Sequence, residues 1–291
     1  MKDGCLLQPS FFLFNNMDTL SGPIAVFDSG YGGLTVLEKL RKRMPQYDFL
    51  YLGDNARSPY GTRSFDVVYE YTLEAVEKLF SMGVHLVILA CNTASAKALR
   101  TIQQNDLPRI DPNRRVLGVI RPSVEVIPKY TLTNKIGVLG TLGTVQSDSY
   151  RMELEKQSKK LKVYQEACPM WVPLVENGEA ESDGADFFIR KHVDRLLAMD
   201  KDIDTVILGC THYPLLMNKI KQYLPHSCTI LAQGDIVARS LEDYLKRHPQ
   251  MDAQCSKSGE TLFYTTENVD KFKQTAGYFL QEDIEVHHIQ L

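Results

Sequence analysis

A short apolar run ending in a cysteine is written twice in this chain. Val87, Ile88, Leu89, Ala90, Cys91, Asn92 and Thr93 return as Val206, Ile207, Leu208, Gly209, Cys210, Thr211 and His212. Each copy is long enough for a buried parallel strand and delivers a thiol at the strand's end, where the chain turns polar and a helix can begin. A second pair lies upstream, residues 24–30 against 136–141, again an apolar strand running into glycine and hydroxyl residues. One copying of an ancestral half-chain explains both pairs and restricts the fold to two similar α/β units. Two equivalent thiols in equivalent places point to chemistry with two sides.

From Ile24 onward, short β-branched or aromatic runs alternate with amphipathic stretches, the pattern of parallel sheets flanked by helices. Strands are expected at 24–27, 49–52, 86–90, 116–120, 136–139, 162–164, 206–209 and 229–231, with strand-like runs at 261–265 and 284–289. Val68, Tyr71, Val76, Leu79 and Phe80 have helical spacing over 65–82, and Gly83 is a stop signal. Ile189, Val193, Leu196 and Leu197 form a second such stripe, and both stripes read as core. Turn residues Asp111, Pro112 and Asn113 mark the break between halves. The expected division is an N-terminal extension over 1–23, a first domain over 24–114 plus 237–291, and a second over 115–236. The fold class is α/β: two similar parallel-sheet domains related by a pseudo-twofold duplication, with the active site in the cleft between them.

The chain has 291 residues, 44% hydrophobic and 24% charged, which excludes disordered and fibrous classes. A net charge of −3 gives no long-range attraction to nucleic acid or an anionic membrane. An anionic ligand must then be held by local donors such as helix N-termini. The apolar start around Leu6, Leu7 and Phe11 is interrupted by Gln8, Pro9 and Ser10 and does not form a signal-peptide core. No stretch is long enough to cross a bilayer, so a cytoplasmic enzyme is expected. Six cysteines, at 5, 91, 168, 210, 228 and 255, include no C-x-x-C pair, against a disulfide scaffold or structural zinc. Cys210 and His212 could supply two metal ligands, but nothing nearby completes a set, and no metal is expected.

In a parallel α/β sheet, ligands gather beyond the carboxyl ends of the strands, where Cys91 and Cys210 are expected. A helix N-terminus there lowers a thiol's pKa and raises the thiolate fraction. A lone buried cysteine after a strand is an ordinary core residue; the duplication reverses that reading. Asp28, Ser29, Gly30, Tyr31, Gly32 and Gly33 form the first strand-to-helix turn but lack the third glycine of a dinucleotide fingerprint and the lysine of a P-loop. Backbone N–H groups approaching a carboxylate, with Asp28 available to an ammonium or a thiol's proton, fit better than a nucleotide; a tight structural turn is the alternative. Pro59, Tyr60 and Gly61 form a rigid turn with a hydroxyl, and Glu176 is either a solvated loop acid or a group that reaches the cleft.

Together, residues 28–36, Pro59-Tyr60-Gly61, Ala90-Cys91-Asn92-Thr93-Ala94, residues 172–176 and residues 208–215 resemble the glutamate racemases, cofactor-independent enzymes of the two-cysteine aspartate/glutamate racemase family. The resemblance runs from about Ile24 to the region of Arg239 and is specific in its order. It implies that L- or D-glutamate lies between the two thiols and that inversion needs an acid/base group on each face of Cα. Cys91 would deprotonate D-glutamate and Cys210 L-glutamate, each serving as the acid in the reverse direction. Asp28 would stand by the first thiol and His212 by the second. Asn92, Thr93 and Thr211 would meet the α-carboxylate, where charge develops. Ser29, Tyr60 and Gly61, with Thr141 as a further contributor, would hold the substrate around its side-chain carboxylate. The product would feed peptidoglycan synthesis. The resemblance also implies a homodimer, and for racemases with N-terminal extensions a UDP-linked peptidoglycan precursor as activator.

Two departures stand out: Arg121-Pro122 where many relatives carry an acid before proline, and Gln233 where an Asp/Ser-Gly pairing is more usual. Cys5, Cys168, Cys228 and Cys255 have no partner copy and read as structural. Rival readings are a two-thiol racemase for aspartate or a hydantoin, a cysteine amidase needing one thiol, and a non-catalytic amino-acid-binding module. A pyridoxal enzyme would need a Schiff-base lysine; Lys97 is near Cys91, but a helix-face lysine is expected to be solvated.

Overall fold

The computed structural model describes residues 21–291, so Cys5 and almost all of the expected extension lie outside the described residues. Among the described residues ten strands are present: β1 (Ile24–Asp28), β2 (Phe49–Gly53), β3 (Leu86–Leu89), β4 (Arg115–Gly118), β5 (Lys135–Gly140), β6 (Lys162–Ala167), β7 (Thr205–Gly209), β8 (Thr229–Leu231), β9 (Thr261–Thr265) and β10 (Val286–His288). They form a six-stranded sheet in the order β10-β9-β2-β1-β3-β4 and a four-stranded sheet in the order β6-β5-β7-β8. Every pairing is parallel.

Helices cover both faces of each sheet, which is why the central strands are apolar on both faces between their end residues. Ile24 and Val26 of β1 join one core with Phe49, Tyr51, Leu86 and Ile88. Ala25 and Phe27 join the other with Leu50, Leu52, Val87 and Leu89. The second sheet repeats this, Leu139, Val206 and Leu208 on one side and Ile136, Val138 and Ile207 on the other.

The strand order also repeats. In each sheet the first strand of the series lies between the second and the third, so the chain changes direction across the sheet at β1/β3 and at β5/β7. Ligands bind in doubly wound sheets at the carboxyl ends of such switch points. Asp28 and Cys91 follow one, Thr141 and Cys210 the other.

The sequence-expected strand over 116–120 is shorter, because the chain enters the helix Ile120–Val126 directly after Val119. Pro122 sits in that helix's first turn, where its missing N–H has no intrahelical partner to lose. The domain change is also displaced from 114/115. Arg115 pairs with Leu86, so β4 belongs to the first sheet and the Asp111–Asn113 turn merely leads into it. Core membership changes between Val119 and Ile120, and again between Ile236 and Val237. No helix among the described residues is long and apolar enough to cross a membrane.

Candidate active site

Both thiols line one cavity of about 120 Å³ between the sheets, well below the few hundred Å³ that drug-sized ligands occupy. Ser29, Tyr60, Gly61, Asn92 and Thr93 contribute from the first domain, Thr141, Thr211 and His212 from the second.

The two thiols differ in setting. Cys91 is the N-cap of the helix Asn92–Lys97; its Sγ accepts from the Ala94 N–H at 3.5 Å and lies 3.4 Å from Ser29 Oγ. Burial, reinforced by the charge of Asp28, pushes the thiol up to about 12, although the Ala94 N–H at the helix terminus pulls the other way as expected. A surface-scale helix-end effect of about 0.3–1 kcal/mol is outweighed by a desolvation that can reach several pKa units. Cys210 caps no α-helix. The chain runs on into a short 3₁₀ turn, and Cys210 Sγ lies 3.8 Å from His212 Nδ1.

Glu176 reaches the cleft wall rather than remaining a solvated loop acid. Its Oε1 is 2.9 Å from His212 Nε2, making a carboxylate–imidazole–thiol chain that ends on Cys210. Burial opposes the imidazolium, but the bonds to Cys210 and Glu176 prevail and raise His212 to about 10. Both ring nitrogens face acceptors, so the protonated ring donates in both directions.

Asp28 is fully buried, and burial raises its pKa against the charge of His212. It accepts from the Gly30 N–H at 3.0 Å and from Thr211 Oγ1 at 3.3 Å. Thr35 Oγ1 donates to the Thr211 carbonyl at 3.0 Å, a second tie across the cleft. Asp28 therefore fastens the Cys210 turn to the first domain and acts on Cys91 through charge; no hydrogen bond joins it to Cys91 among the described residues.

Thr93 Oγ1 and Thr141 Oγ1 meet at 2.9 Å across the cleft, and Thr141 caps the helix Leu142–Gln146 by accepting from Thr144 N–H. Tyr60 lines the cavity. The phenol is buried and donates to Asp54, because a buried O–H needs an acceptor. Lys97 is likewise not solvated: only 7% exposed, it donates to the Arg63 carbonyl at 2.8 Å, and burial lowers its pKa. Arg121 is exposed and pairs with Glu125, away from the cleft. Cys168 is fully buried but forms part of the cavity wall, with Pro169, Val172 and Pro173. The place of these residues in the cavity wall, and that of Ser58, Thr62 and Leu142, was not legible in the sequence, because small and apolar side chains serve equally in cores and in cleft walls. Sequence reasoning missed Tyr150, whose hydroxyl donates to Asn92 Oδ1 at 2.7 Å.

Residues 34–241 match the Asp/Glu/Hydantoin racemase family. The chain belongs to that family. A glutamate racemase of Persephonella marina is 38% identical over 92% of this chain and 97% of its own length. The crystal structure of a glutamate racemase isoform from Bacillus anthracis has a TM-score of 0.84 at 35% identity, covering 92% of this chain and 97% of that one. A glutamate racemase from Francisella tularensis, solved in complex with D-glutamate, has a TM-score of 0.82 at 29% identity, covering 92% and 97%. Racemases of this family thus share the two-sheet fold around the cleft described above.

Proposed function

We propose that this enzyme interconverts L- and D-glutamate by passing a Cα proton between Cys91 and Cys210, in the cytoplasm, supplying D-glutamate for peptidoglycan. The observation that carries the reading is that two thiols from separate sheets line one small cavity. The glutamate racemase relatives support glutamate among the substrates in the family's description.

In the L-to-D direction Cys210 acts as thiolate, kept beside the His212 imidazolium, and removes the Cα proton. The electron pair of the broken C–H bond moves onto Cα and into the α-carboxylate. Cys91, held as a neutral thiol by burial, delivers its proton to the opposite face. The enzyme ends with the two thiols' protonation states exchanged, and the D-to-L direction runs in reverse. Thr93, Thr211 and a carboxamide N–H of Asn92 meet the developing charge on the α-carboxylate. Ser29, Thr141 and the Tyr60-Gly61 segment hold the distal carboxylate. Asp28 orients the Thr211 turn and Glu176 orients His212. No cofactor enters this scheme. A homodimer and activation by a UDP-linked peptidoglycan precursor belong to the same proposal, checked by solution mass and by assay with and without the precursor.

Circular dichroism of the purified protein with each enantiomer tests the reading. Optical activity is expected to decay from both sides, and Cys91→Ser or Cys210→Ser to abolish or severely slow the decay. Because enantiomers are equally stable, each substitution must lower kcat/KM by the same factor in both directions. Decay with aspartate instead would redirect the substrate, and full activity without one thiol would defeat the two-thiol scheme.

A further inference from the structure

Gln233, on the connection that returns the chain from the second domain, is 4% exposed and has every polar atom in use. Its Oε1 accepts from Asn92 Nδ2 at 2.6 Å. Its Nε2 lies 2.8 Å from Ser123 Oγ, 2.7 Å from Tyr150 OH and 3.2 Å from the Val119 carbonyl. Tyr150 OH in turn donates to Asn92 Oδ1 at 2.7 Å. The network joins both connections between the domains, at Val119 and Gln233, to the residue following Cys91.

One consistent set of directions runs through it, with the two hydrogens of Gln233 Nε2 on Ser123 Oγ and Tyr150 OH. The Val119 carbonyl can only accept, and it takes the single hydrogen of Ser123 Oγ at 2.8 Å. Ser123 can then only accept from Gln233, which fixes the NH₂ end of Gln233 on that side and its oxygen toward Asn92. Asn92 must answer with its own NH₂ and present its oxygen to Tyr150. One hydrogen of Asn92 Nδ2 remains without an acceptor among the described residues, and Asn92 lines the cavity. Released from the network, the carboxamide could turn and bring its oxygen to face a carboxylate, a repulsive contact.

We propose that Gln233 is a positioning residue: through a relay running from the Val119 carbonyl it holds the Asn92 carboxamide with an N–H, not an oxygen, toward the substrate's α-carboxylate beside Cys91. This rests on the racemase reading above. The relay also makes the donor sensitive to domain separation, because Asn92 belongs to the first domain and Tyr150 to the second.

Gln233→Met keeps the side chain's length and removes both ends of the relay. It is expected to lower kcat/KM for both enantiomers by about tenfold or more, the scale of a lost hydrogen bond to a charged group, and to weaken D-glutamate binding in calorimetry. In an Asn92→Ala background the same substitution is expected to add nothing, which a purely structural role would not produce. Tyr150→Phe, which removes the donor to Asn92 Oδ1 and one acceptor of Gln233 Nε2 but leaves the Gln233–Asn92 bond, is expected to give a smaller loss and carries the test if Gln233→Met does not fold. Wild-type kinetics in Gln233→Met, or an undiminished cost in the Asn92→Ala background, would overturn the role of Gln233 alone. A wild-type enzyme that stays inactive in the same assay with the precursor present would overturn the glutamate reading and this inference with it.

Discussion

A Cβ placed on Gly32 would lie 2.3 Å from Thr211 Oγ1 and 2.4 Å from His212 Nδ1, closer than atoms can approach. The glycine is required because the first strand-to-helix turn packs directly on the second thiol's turn. Gly32→Ala should therefore push His212 away from Cys210. A misplacement of that size is expected to cost activity about a hundredfold, with an overpacking cost of about 1–3 kcal/mol in unfolding; kinetics and denaturant titration on one preparation separate the two. At this scale the repeat singled out Cys91 and Cys210, and the family resemblance singled out His212. The sequence did not distinguish the two fates open to Glu176 or give the net pKa of Cys91, and it misjudged Lys97. Burial decides those cases, and burial is a property of neighbours distant in the chain.

The helix Phe65–Ser81 was legible in its apolar stripe and its stop at Gly83. Ser64 Oγ accepts from the Val67 N–H at 3.3 Å, and Gly83 adopts a left-handed φ of 88° with open space where a Cβ would stand. Ser64→Ala and Gly83→Ala should each cost about 1 kcal/mol of stability and leave racemisation unchanged, since neither residue contacts the cleft; chemical denaturation beside the activity assay checks both. The run 116–120 was misread for an understandable reason: five apolar residues suit a buried strand or a buried helix start equally, and periodicity cannot separate them. The helix Val269–Leu280 carries a further contribution that its sequence did not announce. Phe279 meets the His212 ring edge-on at 6.0 Å and stacks with Tyr31 at 6.3 Å, closing the outer side of the imidazole.

For the whole molecule, the raised pKa of His212 links folding to pH. A folded value of about 10 against an ordinary 6.5 means that the imidazolium's stabilisation is fully present below pH 6.5 and is lost as the pH rises through about 10. Cys91, lifted from 9.0 to about 12, adds a loss at higher pH, because the unfolded thiol ionises first. Denaturant unfolding at stepped pH should show stability falling across the first window. Substituting His212→Asn should flatten that part of the curve and leave the more alkaline fall in place. The cleft itself depends on the two crossings of the chain, at Val119/Ile120 and Ile236/Val237, beyond which residues from both sheets line one cavity.

The sequence by itself determined the two parallel-sheet units, the thiol at the end of each third strand and the glycine-rich turn beside the first. Those features follow from local rules: continuous apolar runs demand burial on both faces, and a strand must end where polar residues begin. Only the tertiary structure decided which polar groups face the substrate. Glu176 was brought to His212, the Tyr60 hydroxyl was drawn back to Asp54, and Asn92 was oriented by Gln233. The physical reason is that a buried donor or acceptor must be paired, and its partner is set by how two separately folded sheets pack.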